Sequence, residues 1–294
     1  MSYGIPYVEA VLADHPQGYW RMNDLNDCSG YGRTTTFGGA GGTYHLYYGQ
    51  PLRSGYNAAA YGAYYPSSGL VSTALCSCYS ALNLQNLPSS VFPSSFTIEM
   101  WFSSYSTTSV MFPYPSIYNN ARLFEAGGTY TGGYSLIGVV SLVLYASGSN
   151  MYLQLGLQPG SFSFGGANPT WAYTCSVLFT PYAASWTHVV AVNDVANSKM
   201  VIYLNGVQVS TDSSCPSIAM GSVMASSGFG SFGMGSFMYG VMNDPYWSGG
   251  GDSPLAGFFS ELAVYSTALS PARISEHYYA GPFHFLYDGS VFQE

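Results

Sequence analysis

Runs of β-branched and aromatic residues, each cut off by glycine, proline, serine or asparagine before it can make a long helix, commit this chain to a β-fold. The clearest runs are Phe96–Phe102, Ser135–Leu144 and Met151–Leu155, followed by Thr187–Val192, Met200–Leu204, Val207–Val209 and Phe258–Tyr265. Asn205-Gly206 is the strongest turn signal in the chain, because both residues accept a positive φ. Asn193 to Ser198 is a polar loop that closes the hairpin before it. One segment reads as a helix, Ser270 to Tyr279, with Ser270 as N-cap, Pro271 in the first turn, Ile274 and Tyr278 as an apolar stripe, and Gly281 as a stop. Many short strands with turns between them predict an all-β sandwich or barrel.

Charge narrows the partners. Among 294 residues 6 are basic and 14 acidic, a net charge of −8, and Lys199 is the sole lysine. Charged residues make up 7% of the chain, against roughly 25% in an average soluble domain. A groove that neutralises phosphates needs clustered lysine and arginine, so nucleic acid is not an expected partner. No stretch reaches the roughly 18 apolar residues of a spanning helix, so membrane insertion is not expected. The start has neither a basic n-region nor an apolar h-region, and no secretory signal peptide is expected. The expected history is cytoplasmic synthesis, with any exit by assembly into a particle and lysis. Of the 5 cysteines, Cys76 and Cys78 lack the CxxC spacing of zinc or redox sites. Buried thiols are one reading of Cys175 and Cys215; a bridge between them is the other.

Long stretches rich in tyrosine and glycine separate the strands, at about 37–80, 103–120 and 213–257. Segments of this length are usually functional or disordered, and disordered ones are charged and poor in aromatics. These are the reverse, so they are expected to be ordered by contacts with the sandwich or with neighbouring subunits.

Four separated segments, in order, resemble the laminin-G-like and concanavalin A-like lectin/glucanase jelly rolls of bacterial and phage type. Ala13 to Asp24 with Asp27-Cys-Ser-Gly30 resembles the opening strand and turn, and Phe96-Thr-Ile-Glu-Met-Trp101 a conserved-pattern strand of that family. Trp186-Thr-His-Val-Val-Ala-Val192 through Tyr203-Leu-Asn-Gly-Val207 is similar to its hairpin, and Ser260 to Tyr265 through Ile274 and Tyr278 to its closing strand and helix. The resemblance implies an all-β, two-sheet antiparallel jelly-roll sandwich over 1–281, with the three stretches as insertions, one short C-terminal helix, and an arm at 282–294. It places Trp101 and Trp186 in the core. It also implies a structural calcium ion near the closing strand and opening turn, with Asp24, Asp27 and Glu261 as ligands, since calcium takes several hard oxygens. Where many members carry an acidic pair this chain has Ser260 and Glu261. Asp24 and Asp27 read equally well as turn formers that bond their own backbone.

Catalytic patterns are missing. Glycoside hydrolysis needs two carboxylates about 5–9.5 Å apart, and no predicted strand carries two acids; Glu99, Glu125 and Glu261 are isolated. Glu99 reads as a strand residue with a hydrogen-bonded partner, and His188 as structural. There is no HExxH, GxSxG or Walker pattern, and no cofactor is expected apart from the calcium. Binding remains, in two forms. Loop aromatics Trp171, Tyr246 and Trp247 suit stacking on sugars, which would make the chain a lectin-type module. Alternatively, an uncharged Tyr, Phe, Met and Gly surface suits burial against subunits. The composition favours the second: a non-enzymatic virion surface protein, a phage capsid decoration or tail/fibre component. Its partners would be copies of itself, other virion proteins and host-surface polysaccharide, with Phe283, Phe285, Tyr287 and Phe292 as a docking arm. A polysaccharide hydrolase or lyase of the same fold is the further alternative.

Overall fold

A computed structural model describes residues 7–21, 26–33, 35–38, 47–51, 61–64, 81–84, 91–92, 94–104, 120–130, 135–163, 172–182, 186–210, 217–220 and 257–281. They form the helices α1 (Tyr7–Ala13) and α2 (Pro271–Ala280) and a turn of 3₁₀ helix over Thr180–Tyr182. The strands are β1 (Gly18–Trp20), β2 (Thr35–Gly38), β3 (Tyr47–Pro51), β4 (Tyr61–Tyr64), β5 (Ala81–Leu84), β6 (Phe96–Ser104) and β7 (Asn120–Tyr130). They continue with β8 (Ser135–Ser147), β9 (Asn150–Ser163), β10 (Tyr173–Leu178), β11 (Thr187–Asp194), β12 (Lys199–Leu204), β13 (Val207–Gln208) and β14 (Gly257–Tyr265).

β6 sits at the centre of the larger sheet and is buried on both sides. Phe96, Ile98, Met100 and Phe102 face one way while Thr97, Glu99 and Trp101 face the other, as the period of two requires. Among the described residues the larger sheet runs β13-β12-β11-β6-β14-β4-β3, the second sheet β10-β9-β8-β7, and β2 pairs with β5. β4 and β1 share one edge of β14: Phe258 and Phe259 pair with Tyr64 and Ala63, and Leu262 to Val264 with Trp20 to Gly18. Between those halves the register shifts, and Glu261 takes φ +56°, left-handed backbone in a β-bulge.

Two clusters hold the layers together. Between the sheets lie apolar side chains such as Ile98, Met100, Phe102, Leu142, Leu153, Leu155 and Val189. On the other side of the larger sheet, Trp101, Val190, Tyr203, Ala263 and Tyr265 are covered by Tyr7 and Val11 of α1 and Ile274 of α2. The architecture is the expected sandwich of two antiparallel sheets. Trp101 is buried, but under the helices, and Trp186, partly buried, packs against the same cluster. No helix among the described residues is long and apolar enough to cross a membrane.

The local signals explain the elements. Ser270 is the N-cap of α2 and accepts from the Arg273 backbone N–H at 3.3 Å. Asn205 and Gly206 take φ +53° and +75° between β12 and β13. α1 is an addition to the one helix expected; its Tyr7, Ala10 and Val11 form a buried stripe too brief to stand out in the sequence. Of the inserted stretches, 37–80 supplies β3 and β4, which extend the larger sheet; most of 37–80, 103–120 and 213–257, and all of 282–294, lie outside the described residues.

Candidate functional site

The densest polar chemistry lies under the helices. Glu99 is fully buried, and four side chains from four elements converge on it. Oε1 accepts from the Tyr7 hydroxyl at 2.8 Å and from His188 Nε2 at 2.8 Å. Oε2 accepts from the Tyr265 hydroxyl at 2.8 Å and from His277 Nδ1 at 3.0 Å. Strand register supplies two of these four partners. Glu99 pairs with Val190 on β11 and Ala263 on β14, so His188 and Tyr265 are its diagonal neighbours on the same face. Burial alone would raise the Glu99 carboxyl, but the charge of His277 and hydrogen bonds from both histidines hold it well below the usual carboxylate range.

The two histidines differ. His188 Nδ1 is buried with no hydrogen-bond partner among the described residues. His277 faces acceptors on both sides: Glu99 at Nδ1, and at Nε2 the Ala10 carbonyl at 3.1 Å and Asp14 Oδ2 at 3.0 Å. Both nitrogens must donate, so the ring is an imidazolium. Asp14 also accepts from Arg273 Nε at 2.9 Å, and Arg273 Nη1 reaches Glu276 at 2.5 Å. Glu99 is sealed from solvent and each of its oxygens accepts from two side chains, the hydrogen-bonded strand residue that its sequence reading expected.

Glu261 and Asp27 were the described candidates for calcium. The Glu261 carboxylate accepts from the Tyr19 hydroxyl, and from Arg21 Nε at 3.2 Å and Nη2 at 3.3 Å. Burial pushes the Glu261 carboxyl up, against the pull of Arg21 and Tyr19. Asp27 Oδ1 accepts from the Tyr19 and Ser29 backbone N–H groups at 3.0 and 2.8 Å. Its Oδ2 accepts from Ser29 Oγ at 2.8 Å and the Arg33 N–H at 3.0 Å. These two residues do not fit a calcium ion: a guanidinium already stands on Glu261, and Asp27 shapes its own loop. Asp24 lies outside the described residues.

A half-buried polar and aromatic surface occurs elsewhere, on the side of the second sheet that faces away from the core. Leu153, Leu155 and Leu157 point inward, so Tyr152 and Gln154 point outward. The register sets Tyr145, Tyr152 and Leu178 in one row across β8, β9 and β10, and Val143, Gln154 and Ser176 in the next. The Tyr145 and Tyr152 rings stack at 5.3 Å and 17°. Gln154 Nε2 donates to Ser176 Oγ at 2.7 Å, and Leu178 is 44% exposed. Val143 and Ser141, nearer β7, are buried, so the face opens toward β10. Nothing in the sequence reading pointed to Tyr145 or Tyr152. The signal was the two-residue turn Gly148-Ser149, which pairs Ser147 with Asn150 and thereby aligns the two tyrosines.

The stacking candidates Trp171, Tyr246 and Trp247 and the arm residues Phe283, Phe285, Tyr287 and Phe292 lie outside the described residues, as does Cys215. Cys175 is in the core, its Sγ 3.8 Å from the Met200 carbonyl oxygen.

A laminin-G family model described as the concanavalin A-like lectin/glucanases superfamily matches residues 79–275. The chain belongs to this superfamily. No curated protein matches this superfamily member by sequence. Among solved structures it is similar to a botulinum neurotoxin serotype D/C binding domain, with 13% identity, TM-score 0.52, and coverage of 92% of this chain and 53% of that one. A further receptor binding domain gives 14% identity, TM-score 0.51, and coverage of 93% and 52%. Domain 4 of AbnA, an extracellular GH43 arabinanase from Geobacillus stearothermophilus, in complex with arabinotriose, gives 17% identity, TM-score 0.47, and coverage of 89% and 97%. The chain thus spans about half the length of the first two. At these identities they bear on the fold alone.

Proposed function

We propose that this lectin/glucanase-superfamily chain is a non-catalytic recognition module that binds a neutral polysaccharide on the outer face of β8, β9 and β10. The carrying observation is the row of Tyr145, Tyr152 and Leu178 beside Gln154 and Ser176. Flat rings offer a surface for the apolar face of a sugar, and the neighbouring amide and hydroxyl offer donors and acceptors to its hydroxyls. Trp171, one position before Ala172 in sequence, and Tyr246 and Trp247 are the further stacking candidates that the sequence offers. The buried, donor-saturated Glu99 supports a role without hydrolysis.

Titration of the chain with soluble host-surface polysaccharides, read by calorimetry or tryptophan fluorescence, tests the reading. Tyr152→Ala is expected to weaken binding about tenfold or more, as loss of one well-placed ring contact of about 1.4 kcal/mol would. Unchanged binding in Tyr152→Ala with loss in Trp247→Ala moves the site to the loops. Sugar release that Glu99→Gln abolishes would defeat the non-catalytic reading.

The second reading concerns where such a module works. A single lysine, and 17% aromatic residues, suit a chain whose surface is covered by copies of itself and other virion proteins, as a phage decoration or tail/fibre component. The 282–294 arm would dock on a neighbour. Mass spectrometry of purified particles should then find the chain. A protein that stays monomeric at high concentration and associates with no particle sinks this reading and leaves the lectin reading standing.

A further inference from the structure

α1 is 7 residues long, well short of the roughly 12–15 that a helix needs to persist alone in water. What it touches must hold it. Tyr7, at its start, donates to Glu99. At its other end the carbonyls of Val11 and Leu12 accept from the backbone N–H groups of Asp14 and His15 at 3.2 and 3.1 Å. The Ala10 carbonyl accepts instead from two side chains of α2, His277 Nε2 at 3.1 Å and Arg273 Nη2 at 3.0 Å. Two cations therefore cap the negative end of α1, where the helix dipole favours them. Asp14, next in sequence, binds the same pair.

We propose that α1 is a pH-sensitive latch, fastened to the sandwich while His277 carries protons on both nitrogens and loosened at its C-terminal end when the ring loses one. A neutral ring has one N–H. It can serve Glu99 or the Ala10–Asp14 side, and the side it abandons then meets a nitrogen lone pair. The other charged and titratable groups around the ring are disposed for this. Glu99 faces it from β6 and is shared with His188 of β11, Tyr265 of β14 and Tyr7 of α1. Asp14 faces it from the turn after α1, and Arg273 and Glu276 stand beside it on α2. Glu261 of β14 and Tyr19 of β1 bond each other on the same side of the sheet. Burial would lower the His277 pKa, but Glu99 and Asp14 outweigh both burial and Arg273 and lift it above the ordinary histidine value. The latch is thus fully fastened below that ordinary value, about 6.5, and loosens as pH rises through the raised one. Arg273 keeps its bonds to Asp14 and to the Ala10 carbonyl throughout, so α1 loosens at this end without leaving the sheet.

Native-state hydrogen exchange of the full chain, read by mass spectrometry from about pH 6 to about pH 10 and corrected for intrinsic rates, tests this. The amides of α1 and Asp14 should lose protection by about tenfold to a hundredfold, the loss of one charge-assisted hydrogen bond, while those of β6 and β11 hold. The midpoint should coincide with the titration of the His277 imidazole followed by ¹⁵N NMR. His277→Gln should leave α1 open at both ends of the range. Should that variant not fold, Asp14→Asn keeps Glu99 paired and should shift the midpoint to lower pH. Protection of α1 that ignores the imidazole titration, a neutral His277 at about pH 6, or loss of β6 and α1 protection together would each overturn the latch.

Discussion

The two cores on either side of the larger sheet are built from different chemistry. Between the sheets, Leu, Ile, Val, Phe and Met fill the space, and what holds them is area removed from water. Under the helices, Tyr7, Tyr19 and Tyr265 point hydroxyls at buried carboxylates, and an imidazolium sits between Glu99 and Asp14. A chain with only 7% charged residues thus sends several of them to one buried place. Such groups contribute less net stability than apolar packing of the same volume, but they tolerate few alternative arrangements. The apolar side makes the sandwich stable. The polar side fixes where α1 and α2 lie.

Substitutions can break the contrast or sharpen it. Glu99→Gln should cost most, about 3–5 kcal/mol in urea unfolding at neutral pH, because it leaves a buried imidazolium without its carboxylate. Adding His277→Gln should recover part of that loss. Leu155→Ala, in the wholly buried apolar cluster, should cost about 2–5 kcal/mol, and its cost should not vary with pH. The cost of Glu99→Gln should vary. The folded-state pKa of Glu99 is depressed, so its contribution is present above the unfolded value and lost as pH falls toward the folded one. That of His277 is raised, so its contribution is full below the unfolded value and lost as pH rises through the folded one. A pH-independent Glu99→Gln deficit would erase the distinction between the two cores.

Smaller effects refine it. A Cβ on Gly281 would lie 2.2 Å from Trp101 Cζ2 and 2.9 Å from the Tyr278 carbonyl oxygen. Gly281→Ala should therefore cost about 1–3 kcal/mol by forcing the end of α2 off the indole, measurable as a lower Tm. Ser270→Ala should cost about 1 kcal/mol through loss of the cap, with Ser270→Asp restoring it.

The sequence made the sandwich legible because its strands carry their own instructions. Phe96 to Phe102 alternates for two faces, and Asn205-Gly206 takes the positive φ that the hairpin needs. Gly281 was read as a helix stop and is one, yet its φ is −63°: glycine is needed there for the space Trp101 occupies. Long-range convergence was not legible. Glu99 looked solitary because its partners stand between 89 and 178 positions away, and no local spacing encodes them. α1 was missed for the same reason, since it exists through contacts with Glu99, Arg273 and His277. In β14, Glu261 stood out as acidic, but that it bends the strand at φ +56° and meets Arg21 from near the start of the chain emerges only in three dimensions.

The pairing of β1 with β14 has a consequence for synthesis. Gly18 to Trp20 can find Leu262 to Val264 only once some 240 intervening residues have left the ribosome, as the Tyr19–Glu261 bond at a separation of 242 shows. Until α2 follows, Glu99 has no imidazolium and Trp101 lacks the Tyr278 ring that stacks on it with centroids 6.0 Å apart. The nascent protein must carry its middle strands half-clothed, exposed to neighbouring polysomes, until β14 and α2 emerge. Slow elongation between β6 and β14 would prolong that hazard, whereas chaperone occupancy over the same interval would relieve it.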